Sequence, residues 1–240
     1  MKILNRILLC TAFCAASCTI SLAQTASPDT YLDDVRAELV KTWPQNRTVN
    51  FVFHGHSVPS GYARTPAVNT LDAYPYQTLV VVKRLFPNAV VNTITTSIGG
   101  ENSEQGSERF TRDVLTHQPD VVFIDYALND RTIGPERAEA AWRKMIETAV
   151  SAGVKVILCT PTPDLSAKMT DPADPLSVLA GMVRRLASEY HVGLADFYAR
   201  FVSVLEAGGD LSGYMAQVNH PNTAGHQVAV GEIARWIAGE

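Results

Sequence analysis

The chain has 240 residues, enough for one sizeable domain and too few for two full ones. It is 46% hydrophobic and 18% charged, an ordinary globular balance. The net charge of −4 gives no reason to expect nucleic acid or an anionic membrane as a partner.

The first element is a targeting segment. Lys2 and Arg6 form a basic start, Ile7 to Leu22 is apolar with small residues, and Ser21-Leu22-Ala23 fits a small-x-small cleavage site before Gln24. Residues 1–23 read as a signal peptide, and 24–240 as one domain with no stable membrane span. The apolar stretch is interrupted by Ser17, Thr19 and Ser21 and is short for a span. A second route is lipid attachment at Cys18 after Ala15-Ala16-Ser17. It has the small residues but lacks a bulky aliphatic residue three places earlier. Simple cleavage removes Cys10, Cys14 and Cys18 and leaves Cys159, so the exported fold has no internal disulfide and rests on its core. Cys159 ends an apolar run and reads as buried filler, with a nucleophilic thiol as the alternative.

Strand and helix signals then alternate. Leu32, Val35, Leu39 and Val40 give helical spacing over 31–43. Thr48 to Phe53 is the first strand. A helix is expected from Pro75 to Phe86, with proline in its first turn. Val90 to Thr96 is the second strand, Ser107 to His117 a helix, and Val121 to Tyr126 the third strand. Glu136 to Ala152 forms a long helix ending at Gly153, and Lys155 to Thr160 the fourth strand. A proline-punctuated loop leads to a helix over Leu176 to Tyr190. Val192 to Phe197 is the fifth strand, and Thr223 to Ala238 a closing helix. Strands separated by helices predict parallel pairing with right-handed crossovers. Val121 to Ile124 is apolar on both faces, as a sheet covered on both sides requires. The expected architecture is α/β: a three-layer α/β/α sandwich with a five-stranded parallel sheet in flavodoxin-like order.

Polar segments come directly after the first three strands. His54-Gly55-His56-Ser57 succeeds the first, Ser97-Ile98-Gly99-Gly100-Glu101-Asn102 the second, and Ala127-Leu128-Asn129-Asp130-Arg131 the third. Gln217-Val218-Asn219-His220 precedes the last helix. In a parallel sheet all strand ends share one rim, where open α/β sheets bind ligands. That rim would gather a serine, glycine amides, an asparagine amide and a histidine, which suits acyl transfer. A serine hydroxyl needs a neighbouring base. Histidine takes a proton and returns it near neutral pH. The tetrahedral intermediate needs preorganised donors for its oxyanion.

These residues in this order resemble the SGNH (GDSL-type) hydrolases, named for Ser, Gly, Asn and His in four blocks. Gly55-His56-Ser57 stands for the Gly-Asp-Ser block and Gly100 for the second. Ala127-Leu128-Asn129-Asp130 matches Gly-x-Asn-Asp, and Gln217-Val218-Asn219-His220 matches Asp-x-x-His. The resemblance implies Ser57 as nucleophile and His220 as base. It implies an oxyanion hole of the Ser57 and Gly100 amides plus the Asn129 side chain, with no cofactor and no metal. Three residues depart from the pattern. His56 in place of aspartate is expected to alter local hydrogen bonding, and Ala127 in place of glycine to shape the pocket. Gln217 in place of the fourth-block aspartate removes the charge that orients an imidazole and stabilises its protonated form. Three arrangements answer that loss: a slower Ser-His dyad, orientation by Gln217 or a backbone carbonyl, or an acid from elsewhere such as Asp210.

Other readings accompany these. Gly55-x-Ser57 also fits the start of the α/β-hydrolase elbow, but the fifth position is Pro59. His54, His56, His220 and His226 lack a zinc pattern, and His226 is expected to hold the start of the last helix. Asp130 reads as structural, Arg131 as its ion-pair partner or a contact for an acidic substrate group, and Tyr62, Tyr74 and Tyr76 as either a binding wall or a core cover. With export read from residues 1–23, the resemblance implies a serine esterase acting on O-acyl esters, O-acetyl on carbohydrate foremost, with a small-molecule or glycan ester as substrate. A lipid or simple-ester acylhydrolase is the alternative within the class. A catalytically degenerate carbohydrate-binding protein is the alternative outside it.

Overall fold

In the computed structural model, which describes residues 25–240, five strands pair in parallel in the order β2-β1-β3-β4-β5. These are β1 (Thr48–Gly55), β2 (Val90–Thr95), β3 (Val121–Asp125), β4 (Lys155–Cys159) and β5 (Gly193–Ala195). This is the flavodoxin-like order, with its switch point between β1 and β3. The segment read as a leader, with its three cysteines, lies outside the described residues. Among the described residues, no helix is long and apolar enough to cross a membrane.

Period-two alternation sends the strand side chains into two cores. Phe51, Phe53, Val121, Phe123, Ile157 and Cys159 face the helices Asp33–Leu39, Tyr74–Leu85 and Thr223–Ala238. Val52, Val122, Ile124, Val156 and Leu158 face the helices Ser103–Asp113, Pro135–Ser151 and Pro175–Glu189. The Phe53 and Phe123 rings stack with centroids 4.4 Å apart. Each fully buried ring of this kind contributes about 1.5–3 kcal/mol. Cys159 is fully buried, and burial first, then the nearby Asp125, pushes its thiol well above the ordinary range.

Two element boundaries differ from expectation in ways that matter for the rim. The crossover helix between β2 and β3 starts at Ser103 rather than Ser107, because Asn102 and Gln105 form a reciprocal capping box (3.2 and 3.1 Å). The expected fifth strand through Phe197 stops at Ala195. Asp196 accepts from the Ala199 amide at 3.1 Å and starts a further helix, Phe197–Glu206. A small hairpin, β6 (Met215–Gln217) with β7 (His220–Pro221), was also not expected.

Both ends of the described chain gather at the amino edge of the sheet. The Ala26 amide donates to the Val192 carbonyl at 3.2 Å, just ahead of β5. Arg36 donates to the carbonyls of Pro28 (3.2 Å) and Trp236 (2.9 Å), clasping the first helices to the last turn of the final one.

Candidate active site

Ser57 follows the carboxyl end of β1 and opens a single helical turn, Ser57–Ser60. Packing fixes this position. Gly55 lies so close to β3 that a Cβ there would sit 2.4 Å from the Asp125 carbonyl oxygen, so only glycine fits. His56 then caps the turn, its Nδ1 accepting from the Val58 amide at 3.2 Å. Because Nδ1 accepts, the His56 proton sits on Nε2. That atom faces Asp125 Oδ1 at 3.4 Å, and both atoms are buried outside hydrogen-bonding geometry. The other Asp125 oxygen accepts from the Tyr74 hydroxyl at 2.9 Å. The residue that replaces the family's aspartate therefore shapes the serine turn from beneath, as altered local bonding predicts.

His220, at the start of β7, reaches the same point from the other end of the chain. Its Nε2 lies 2.9 Å from Ser57 Oγ, and both residues are 7% exposed. The other ring nitrogen, Nδ1, meets the Ala63 carbonyl at 3.0 Å and the Gln217 side-chain nitrogen at 2.8 Å. Gln217 Oε1 in turn accepts from the Thr65 amide at 3.1 Å. The segment carrying Ala63 and Thr65 is itself held. Tyr62 N–H donates to the Ser57 carbonyl (3.1 Å), Asn69 N–H to the Gly61 carbonyl (2.7 Å), and Tyr62 bridges Val68. Asp210 is not the orienting acid: it is exposed and bonds Ser212, while the His220 partners are Ala63 and Gln217. Burial lowers the affinity of His220 for a proton. The Ala63 hydrogen bond opposes this, and the nearby His56 adds to it.

The loop after β2 supplies the donors. Ile98 to Glu101 forms a turn closed by the Glu101 amide on the Ile98 carbonyl (3.3 Å), with Gly100 at φ +80°. Turns of this type need positive φ at the third residue, hence glycine. The Ile98 amide ties the loop to the Gly55 carbonyl at 3.0 Å. From below, the Glu101 carboxylate is gripped by Arg109, whose Nε lies 2.7 Å away, and by the Tyr126 hydroxyl at 2.8 Å. Asn129 Nδ2 donates to the Glu101 carbonyl at 2.9 Å, which leaves its second N–H for a ligand. Asp130 holds this corner by accepting from the Ser103 amide (2.8 Å) and Trp142 Nε1 (2.7 Å). Ser57, Gly100, Asn129, Gln217 and His220 all line one open cleft of about 370 Å³, with Tyr62, Thr65, Gly99 and Asn219. A similar-sized hollow bounded by Met169, Arg184 and Tyr198 shares no residue with it.

Several other expectations change. Arg131 pairs with Asp164 at 2.7 Å, not with Asp130, whose oxygens are already taken. His226 Nδ1 accepts from the Tyr74 amide at 3.3 Å and so holds the start of the Tyr74–Leu85 helix. Asn222 caps the last helix instead. His54 lies in the opposite core, bonded to Thr96, Gly106 and Tyr126. Of the three tyrosines, Tyr62 lines the cleft, Tyr74 is core, and Tyr76 is half-buried away from the cleft. Sequence reasoning did not single out Ala63, Glu101, Arg109 or Asp125. The Asn102-x-x-Gln105 capping signal was the available pointer to the loop that carries Glu101.

The model of the GDSL-like lipase/acylhydrolase family matches residues 53–228, most of the chain. The chain belongs to this family. As an SGNH (GDSL-type) hydrolase it is a carboxylic ester hydrolase by class, with the α/β/α fold of that family. Solved structures agree on the fold. A two-domain esterase active on acetylated mannans superposes with TM-score 0.71 at 21% identity, covering 87% of this chain and 52% of that one. The chain thus spans about half of that esterase. An acetylxylan esterase of Geobacillus stearothermophilus gives TM-score 0.69 at 20% identity, covering 82% and 95%. A GDSL-like lipase of Parabacteroides merdae gives 0.67 at 16%, covering 83% and 100%. No curated protein matches the chain in sequence.

Proposed function

We propose that this SGNH hydrolase is an exported serine esterase that removes O-acetyl groups from carbohydrate. The observation that carries the reading is the 2.9 Å contact between Ser57 Oγ and His220 Nε2 at the rim of the sheet. In this reading Nε2 takes the Ser57 proton while Oγ attacks the acyl carbon. The Ser57 and Gly100 amides and the free Asn129 N–H receive the charge that develops on the carbonyl oxygen. The alcohol leaves with the proton from His220, and a water repeats the sequence to free Ser57. No cofactor enters these steps.

The cleft supports a short acyl group on a polar alcohol. It is open, and its walls present Tyr62, Thr65, Asn129, Gln217 and Asn219, an aromatic face among amides and a hydroxyl, in place of an apolar channel. The similar proteins named for acetylated mannan and acetylxylan point the same way. Export is supported by the leader read at residues 1–23.

A serine-reactive phosphonate, followed by acetate release from acetylated xylan and mannan oligosaccharides, tests the reading. Labelling at Ser57, with acetate release that vanishes in Ser57→Ala, is the expected result. Faster turnover of long-chain esters than of acetylated sugars would favour the lipid acylhydrolase. Absence of both labelling and turnover would favour a binding protein. N-terminal sequencing of the mature protein is expected to begin at Gln24, and a lipid-blocked Cys18 would replace simple cleavage.

A further inference from the structure

The position where SGNH hydrolases carry an aspartate holds a group of the opposite hydrogen-bonding character. The Thr65 backbone N–H can only donate, and at 3.1 Å it fixes the Gln217 carboxamide with its oxygen toward Thr65. The NH₂ end is thereby turned to His220 Nδ1 at 2.8 Å, and toward Asn219 Oδ1 at 3.5 Å. Nδ1 also faces the Ala63 carbonyl at 3.0 Å. These two neighbours ask for opposite tautomers. Gln217 needs a lone pair on Nδ1, which puts the ring proton on Nε2, pointing at Ser57 Oγ. Ala63 needs a proton on Nδ1, which leaves Nε2 free to accept from Ser57.

We propose that Gln217 is a tautomer-selecting residue: it holds part of resting His220 with its proton on Nε2, where the ring cannot act as base, and the Ala63 carbonyl stands in for the family's acid in the productive form. The inference rests on the Ser57–His220 reading above. Moving between the two forms transfers one proton from Nε2 to Nδ1 through solvent and exchanges the Gln217 hydrogen bond for the Ala63 one. When Ser57 attacks, its proton goes to Nε2. The resulting imidazolium keeps its Nδ1–H on Ala63 while the Gln217 N–H groups oppose it.

The other ionisable groups set against His220 do not supply the missing charge. His56 lies beneath it from the end of β1, Tyr62 packs on its ring with centroids 5.9 Å apart, and His226 stands in the first turn of the final helix. None of them is a carboxylate.

Nitrogen-15 NMR of histidine-labelled protein distinguishes the two neutral forms directly. In the wild type above the His220 pKa, a mixture with a substantial Nε2–H share is expected. Gln217→Met removes the donor at similar length. It should shift the Nδ1–H to Nε2–H ratio about fivefold, the change given by one neutral hydrogen bond, and raise kcat/KM in proportion to the gain in the Nδ1–H fraction read in the same NMR experiment. Gln217→Glu keeps the Thr65 contact and offers Nδ1 an acceptor. It should raise kcat about tenfold and move the acid limb of kcat/KM to higher pH, because a carboxylate favours the imidazolium. A wild-type ring wholly in the Nδ1–H form, or a Gln217→Met enzyme with unchanged tautomers and lower kcat/KM, overturns the inference. Phosphonate labelling of wild-type Ser57 separates the two layers. Labelled enzyme with unmoved tautomers defeats the selector alone, whereas unlabelled enzyme defeats the dyad and the selector together.

Discussion

Ser57 and His220 lie 163 positions apart in the chain, yet their side chains meet at 2.9 Å, bridged by a fold that brings the end of β1 and the start of β7 to one rim. Groups that act as a unit lose their effect together. Ser57→Ala and His220→Ala should each lower kcat by about 10⁴-fold or more, and the double variant should be little worse than either. Steady-state kinetics on an acetylated sugar checks this. Additive losses would mean that the two residues act separately.

The pH dependence of kcat/KM follows from the His220 environment. Burial, opposed by the Ala63 bond and helped by His56, places its proton affinity below the ordinary imidazole value of 6.5. The free enzyme needs a neutral ring, and kcat/KM reports the free enzyme. Activity should therefore hold as pH falls through 6.5 and decline only below it. A limb centred above 6.5 would contradict the placement.

Stability should be lost over an acid window set by two other histidines. Burial first lowers His54 to about 3, with Arg109 adding to the effect, and burial lowers His226 to about 4. In the unfolded chain both titrate near 6.5. Between these values the unfolded state binds more protons, so stability rises with pH. The contribution is full above about 6.5 and is lost as pH falls toward 4 and then 3. Urea unfolding at pH 7, 5 and 4 should show falling midpoints, with both imidazole NMR signals unshifted in the native state at pH 5.

Asn129 has one N–H on the Glu101 carbonyl and one for the ligand. Asn129→Ala should lower kcat by about 10²–10³ with little change in KM, the cost of one oxyanion donor. A negligible effect would remove the residue from the donor set.

The Arg109–Glu101 pair is nine-tenths buried beneath the Gly100 turn. Removing one partner leaves the other charge uncompensated. Arg109→Met should cost about 3 kcal/mol in denaturant unfolding and also lower kcat, because Glu101 adjoins Gly100. Arg109→Met combined with Glu101→Leu should recover much of the stability. A double variant as unstable as the sum of the singles would argue against a shared network.

The sheet order and four of the site's positions were legible because they are written in residue type. Apolar runs mark the strands, Ser57, Gly100 and Asn129 follow the first three of them, and His220 stands just ahead of the last helix. What escaped depends on backbone or on distant pairing. The Ala63 carbonyl is an acceptor that every residue carries, so nothing in the sequence marks it. Arg131 sits beside Asp130, but Trp142 and Ser103 occupy that carboxylate, and Asp164 across the loop takes the arginine. The fifth strand reads too long because Leu194-Ala195-Asp196-Phe197 looks extended until Asp196 is recognised as a cap. The orientation of Gln217 is set by the Thr65 amide, 152 positions away in the chain.

The Arg36 clasp and the Ala26–Val192 bond put both ends of the folded body on the side away from Ser57. A bead, tag or surface joined through either terminus would hold the molecule by its base, leaving the mouth of the cleft open to a polymer too large to diffuse inside.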